Sequence, residues 1–92
     1  MNIGKAIVSL CKARGITRKE LAATMGISQN AMTNLVKDRS WPTALTMYKL
    51  SQAFDVPQSY ILLYSIEDID IPSEKREFFH LVIEPIKEYL IK

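Results

Sequence analysis

Cysteine is almost missing from this chain: Cys11 stands alone among 92 residues. That excludes an internal disulfide and any metal site built on thiolates. Histidine is equally scarce, with only His80. No Ser-His-Asp or Cys-His arrangement stands out, and neither a phosphate loop nor a carboxylate pair with a cleft around it. The chain is therefore not expected to be an enzyme or to hold a metal or cofactor. No apolar run approaches the ~20 residues that a membrane helix needs, so no membrane partner is expected. The opening stretch MNIGKAIVSLCK has no secretory cleavage pattern and is expected to be mature structure. A lone Cys on an apolar face reads as a buried small hydrophobe, and a reduced, cytoplasmic location fits it. Internal repeats and low-complexity segments are also missing.

What is present is enough apolar sequence, 48% of residues, for one domain with a modest core. Net charge is only +2, but it is unevenly spread. Residues 1–64 hold eight basic against three acidic side chains, and residues 65–92 hold four against seven. A basic body with an acidic tail points to a polyanion partner for the body alone.

Residues 18–36, RKELAATMGISQNAMTNLV, organise the rest. Leu21, Ala22 and Met25 fall on one face of a first helical segment, and Gly26 breaks it. Ile27, Met32 and Leu35 line one face of a second segment that opens at Ser28. Two short helices joined by a tight glycine turn make a helix-turn-helix. Ala22 is small where the helices cross, and Ile27 plugs the gap between them. Thr17 and Glu20 form a T-x-x-E capping box, and Ser28 caps the second helix. The outer face of that helix displays Gln29, Asn30, Thr33 and Asn34, all polar and uncharged. Glu and Lys would serve mere solubility, whereas amides suit base edges, adenine N6 and N7 above all. These four are the candidate base contacts. Thr17, Arg18, Ser28, Lys37, Arg39 and Ser40 are the candidate phosphate contacts.

Around this motif the periodicity predicts further helices. One spans about 2–14, with a stripe of Ile3, Ala6, Ile7, Leu10 and Cys11, and ends at Gly15. A loop, DRSWPT, follows the motif; in it Asp38 sits where a helix C-cap often takes a positive φ, and Trp41 packs on a neighbouring helix or lies along a sugar-phosphate strand. A helix over about 43–54 has Leu45, Tyr48, Leu50 and Phe54 on its apolar side, with Ala44, Met47 and Ser51 nearby. The next starts near Pro57, is apolar nearly all round, and meets the core on one side and a second subunit or the C-terminal segment on the other. After an acidic connector, 67–72, Ser73 is expected to cap a last helical stretch, which Pro85 bends or divides in two. Its broad apolar stripe needs a covering surface, from its own domain or from another chain. Tyr60, Leu63, Tyr64, Phe78, Phe79, Val82, Ile86, Tyr89 and Leu90 are the candidate dimerisation residues. The expected fold class is all-α: residues 1–66 as a helix-turn-helix domain and 73–92 as a helical extension.

Residues 3–64 resemble the lambda-repressor-like, Cro/C1-type (XRE) helix-turn-helix family. The resemblance is carried by I-G-K at Ile3–Lys5, G-I-T at Gly15–Thr17, E-L-A at Glu20–Ala22, M-G-I-S at Met25–Ser28, Pro42, and L-x-x-A-F-D-V over Leu50–Val56. It implies a five-helix DNA-binding domain whose recognition helix puts Gln29, Asn30 and Asn34 at base-reading positions, with Thr33 beside them. Arg18 stands where the family has a phosphate-binding Gln, and Asp38 where it has Gly. Cys11 and Val36 replace an Arg–Glu pair. Replacing both charges by apolar groups is tolerated where losing one is not, so the two are expected to lie near each other in the core. The function implied is a sequence-specific transcriptional regulator, a repressor, that binds pseudo-palindromic double-stranded DNA as a homodimer. The alternative is an antitoxin-like or anti-repressor module whose C-terminal helix grips a partner protein.

Overall fold

Each of the first four helices begins where a short polar side chain takes over a free backbone N–H. Asn2 accepts from the Lys5 N–H at 3.0 Å and opens α1, Ile3–Arg14. Thr17 and Glu20 bond each other's backbone N–H groups and open α2, Arg18–Met25. Ser28 accepts from the Ala31 N–H at 3.0 Å and opens α3, Gln29–Val36. Thr43 does the same for Thr46 at the start of α4, Ala44–Phe54. Pro57 precedes α5, Gln58–Ser65, as its cap rather than as its first residue. The ends are as local as the starts. Gly26 turns the chain from α2 into α3 at φ 69°, where a Cβ would be strained. Asp38 and Asp55 take φ of 57° and 54° after α3 and α4, conformations that Asp tolerates better than most side chains.

The computed structural model that shows this describes residues 1–91. Ile3, Ile7 and Leu10 of α1, Leu21 of α2, Met32 of α3, Leu50 and Phe54 of α4 and Ile61 of α5 are its fully buried centre. A cap is worth about 1 kcal/mol and a buried side chain of this kind about 1.5–3 kcal/mol. At eight residues each, α2 and α3 are too short to persist alone, so this shared core holds them. The buried positions of α4 are Met47, Leu50, Ser51 and Phe54, one helical stripe. That corrects the expected phase: Leu45 and Tyr48 lie off the stripe, 63% and 53% exposed.

α1 crosses α3 at closest range where Gly4 meets Val36. A Cβ on Gly4 would overlap the Val36 carbonyl oxygen and lie 3.1 Å from its Cα. Cys11 and Val36 both join the central cluster, Val36 half-buried. The crossing point nevertheless lies at Gly4, about two helical turns before Cys11, because only glycine lets the backbones come this close.

The C-terminal stretch folds back on the domain. Short 3-10 turns, Asp68–Asp70 and Ser73–Lys75, lead into α6, Arg76–Phe78, then a π-helical turn, Phe79–Ile83, and α7, Glu84–Ile91. Ser73 makes no capping bond, contrary to expectation; it sits inside the second 3-10 turn, after Pro72. Pro85 neither divides the stretch nor stands unaccommodated. The helix widens just before it, with the Glu84 N–H bonding the Phe79 carbonyl, five residues back. Phe79 is buried. The hydroxyls of Tyr60 and Tyr64 donate to the carbonyls of Leu90 and Lys87. Lys87 donates to the Ile66 carbonyl at 2.8 Å and sits 5.5 Å over the Phe79 ring. Burial lowers the Lys87 pKa, and it pushes the Tyr64 phenol up to about 12, with Tyr60 adding to the effect. His80 bridges Glu84 at 3.0 Å and Asp68 at 3.5 Å, and its pKa is raised chiefly by the Glu84 bond. Lys5 pairs with Glu67 at 2.6 Å, which ties the connector to α1.

Gly4→Ala should cost about 1–3 kcal/mol through overpacking and lower the Tm by about 4 °C or more. A thermal melt followed by circular dichroism checks this; an unchanged Tm would mean that the crossing has slack the structure does not show.

Candidate nucleic-acid interface

The shared core that fixes α2 against α3 also decides which side chains of α3 are left outside. With Met32 and Leu35 turned inward, Gln29 and Asn30 are exposed and Thr33 and Asn34 half-buried at the edge of the same outer face. Among the described residues, no intramolecular hydrogen bond engages the side chains of Gln29, Asn30 or Asn34. Each amide keeps a donor and an acceptor side by side for an outside partner. The helix carries no acidic side chain between Gln29 and Val36.

Cations flank this face. Arg18 and Lys19 are exposed at the start of α2, and Lys37, Arg39 and Ser40 are exposed just beyond α3. Among the described residues none of these four cations has an ion-pair partner; the pairs involve Met1, Lys5 and His80 instead. Arg18 lies near enough to Cys11 to favour its thiolate, yet burial outweighs it and raises the thiol pKa. Thr17 and Ser28 accept in their caps, and each hydroxyl keeps its own proton to donate. Weak cation–anion pairing in water leaves such side chains available. The arrangement suits a polyanion with readable edges: charge at the margins, uncharged amides in the middle.

Trp41 is 51% exposed and lines a recess together with Ala31, Asn34 and Leu35 of α3. Nothing in the spacing of DRSWPT marks that placement, because it depends on where α3 and α4 meet. The candidate dimerisation residues divide in two. Tyr64 and Phe79 are buried within their own chain, and Tyr60, Leu63 and Val82 are half-buried. Phe78, Ile86, Tyr89 and Leu90 are exposed, and so is Leu81, which the stripe did not single out.

The family model HTH_3, described as helix-turn-helix, matches residues 7–61, which takes in all of α2, α3 and α4 and the turn between the first two. The chain belongs to the Cro/C1-type helix-turn-helix family. Similar proteins bear this out. An uncharacterized HTH-type transcriptional regulator, y4dJ of Sinorhizobium fredii (strain NBRC 101917 / NGR234), is 35% identical over 54 residues, 59% of this chain and 70% of that protein. The HTH-type transcriptional regulator ImmR of Bacillus subtilis (strain 168) is 32% identical over 62 residues, 67% of this chain. The match spans 49% of ImmR's own length. No solved structure matches. The Cro/C1-type match ends at Ile61, so the tail that covers Tyr64 lies outside it. Among the described residues, no helix is long and apolar enough to cross a membrane.

Proposed function

We propose that this protein is a sequence-specific, DNA-binding transcriptional regulator that acts as a repressor by occupying its operator as a homodimer. The observation that carries the reading is the outer face of α3: uncharged amides and flanking cations that, among the described residues, have no hydrogen-bond or ion-pair partner within the chain. The related proteins named as transcriptional regulators support the same role. In this reading α3 enters the major groove. Gln29, Asn30, Thr33 and Asn34 face base edges, and Thr17, Arg18, Ser28, Lys37, Arg39 and Ser40 face phosphates. A single such module has too small an interface for tight specific binding at physiological salt. Two copies on half-sites about 34 Å apart solve that, and they require a pseudo-palindrome.

The exposed apolar side chains of the tail, Phe78 at 62% and Tyr89 at 80% exposure, favour assembly through α6 and α7. The same observation favours a second reading, in which another protein covers that face, as an antitoxin's partner does.

Two contrasts test the DNA reading. Asn34→Ala should remove about 1–3 kcal/mol of discrimination at particular base pairs and leave others unchanged. Arg18→Ala should weaken all duplexes alike and reduce the salt slope by about one. Binding measured on a panel of single-base operator variants at several salt concentrations separates them; a uniform loss with Asn34→Ala would contradict the base-reading role. For assembly, the full chain should sediment as a dimer and the Phe78→Glu, Tyr89→Glu double variant as a monomer. A dimer untouched by the double variant would contradict the tail interface, and a wild-type monomer at all concentrations would favour the partner-protein reading.

A further inference from the structure

A recess of about 260 Å³ opens between the flank of α3 and the loop and helix that follow it. Ile27, Ala31, Leu35 and Trp41 form its apolar walls, and Asn34 stands at its edge. Three facts make it more than a packing defect. Asn34 belongs both to this recess and to the amide face of α3, so the two are one continuous surface. Ala31 is the smallest side chain that a helix tolerates without loss, and it keeps the recess open directly beside that amide. Trp41, the chain's only tryptophan, leaves 51% of its surface in water at this spot, an arrangement that covering by an apolar group would relieve. Thr43 and Thr46 also line the recess, and the Thr43 hydroxyl donates to the Thr46 hydroxyl at 3.0 Å.

We propose that this recess takes the C5 methyl group of a thymine next to the base that Asn34 addresses, with the Trp41 indole as its outer wall. The inference rests on the reading of α3 as the base-reading helix, and it makes Trp41 and Ala31 specificity-determining residues. In the major groove thymine differs from cytosine by that methyl and by presenting an O4 acceptor in place of an N4 amino donor. The apolar walls of the recess reward the methyl, which cytosine lacks. The cations Lys37 and Arg39, exposed on the stretch that leads to Trp41, would hold the adjoining phosphates. The operator half-site should therefore contain a thymine at a fixed step from the adenine read by Asn34.

The test uses the full chain and the tightest-binding duplex selected from a random pool, with each thymine replaced singly by deoxyuridine, which lacks only the methyl. At one position in each half-site the replacement should weaken binding about fourfold, the effect of burying one methyl group. Trp41→Ala should weaken binding to the thymine duplex and erase the difference between thymine and deoxyuridine there. Specific binding that is indifferent to every deoxyuridine replacement would overturn the recess and leave the DNA-reading role standing. Binding without sequence preference would overturn both. If Trp41→Ala lowered affinity equally for thymine and deoxyuridine duplexes, the indole would belong to the sugar-phosphate strand, and the inference would fail. The deoxyuridine series needs no variant, so it can overturn the inference even if Trp41→Ala does not fold.

Discussion

The backbones of α1 and α3 touch where Gly4 meets Val36, with no side chain between them. That contact sets the height of the last turn of α3 above the domain. The opposite end of α3 is set by the Gly26 turn and by the Ser28 cap. With eight residues, α3 has only two turns with which to present its amides. Fixing both its ends leaves it little freedom to tilt, and under the proposed base-reading role a tilt would carry Asn34 and Gln29 to different bases. On that proposal core packing and base reading are one constraint: Met32 and Leu35 pull one face inward and thereby aim the other.

Electrostatics follows the same division. Four of the seven side-chain carboxylates of the connector and tail are paired within the chain. Glu67 pairs with Lys5, Asp70 with the Met1 amine, and Asp68 and Glu84 with His80. Half-exposed pairs like these contribute little stability. Their effect is to compensate part of the acidic segment locally, while among the described residues Arg18, Lys19, Lys37 and Arg39 around the motif form no ion pair. The modest net charge of +2 conceals this, because it averages a partly paired acidic tail with that basic rim.

The features legible in the sequence were the local ones. Thr17 with Glu20, Ser28, Gly26 and Asp38 act within one turn of themselves, so residue type and spacing suffice to place them. The polar face of α3 was legible because Met32 and Leu35 define its back. What escaped depends on distant partners. The phase of α4 is set by what faces it, and a stripe of Met47, Leu50, Ser51 and Phe54 won over one that included Leu45 and Tyr48. The fold-back of α7 depends on tyrosine hydroxyls reaching carbonyls more than twenty residues away. The half-exposed Trp41 depends on the gap between two helices.

The most direct measurement follows the side-chain NH2 resonances of Gln29, Asn30 and Asn34 during titration with a selected operator and with a scrambled duplex of equal length. If α3 is the base-reading helix, these amides shift or broaden with the operator and stay nearly unchanged with the scrambled duplex. Side-chain amides that ignore both duplexes, with the changes gathered on α6 and α7 instead, would contradict the account.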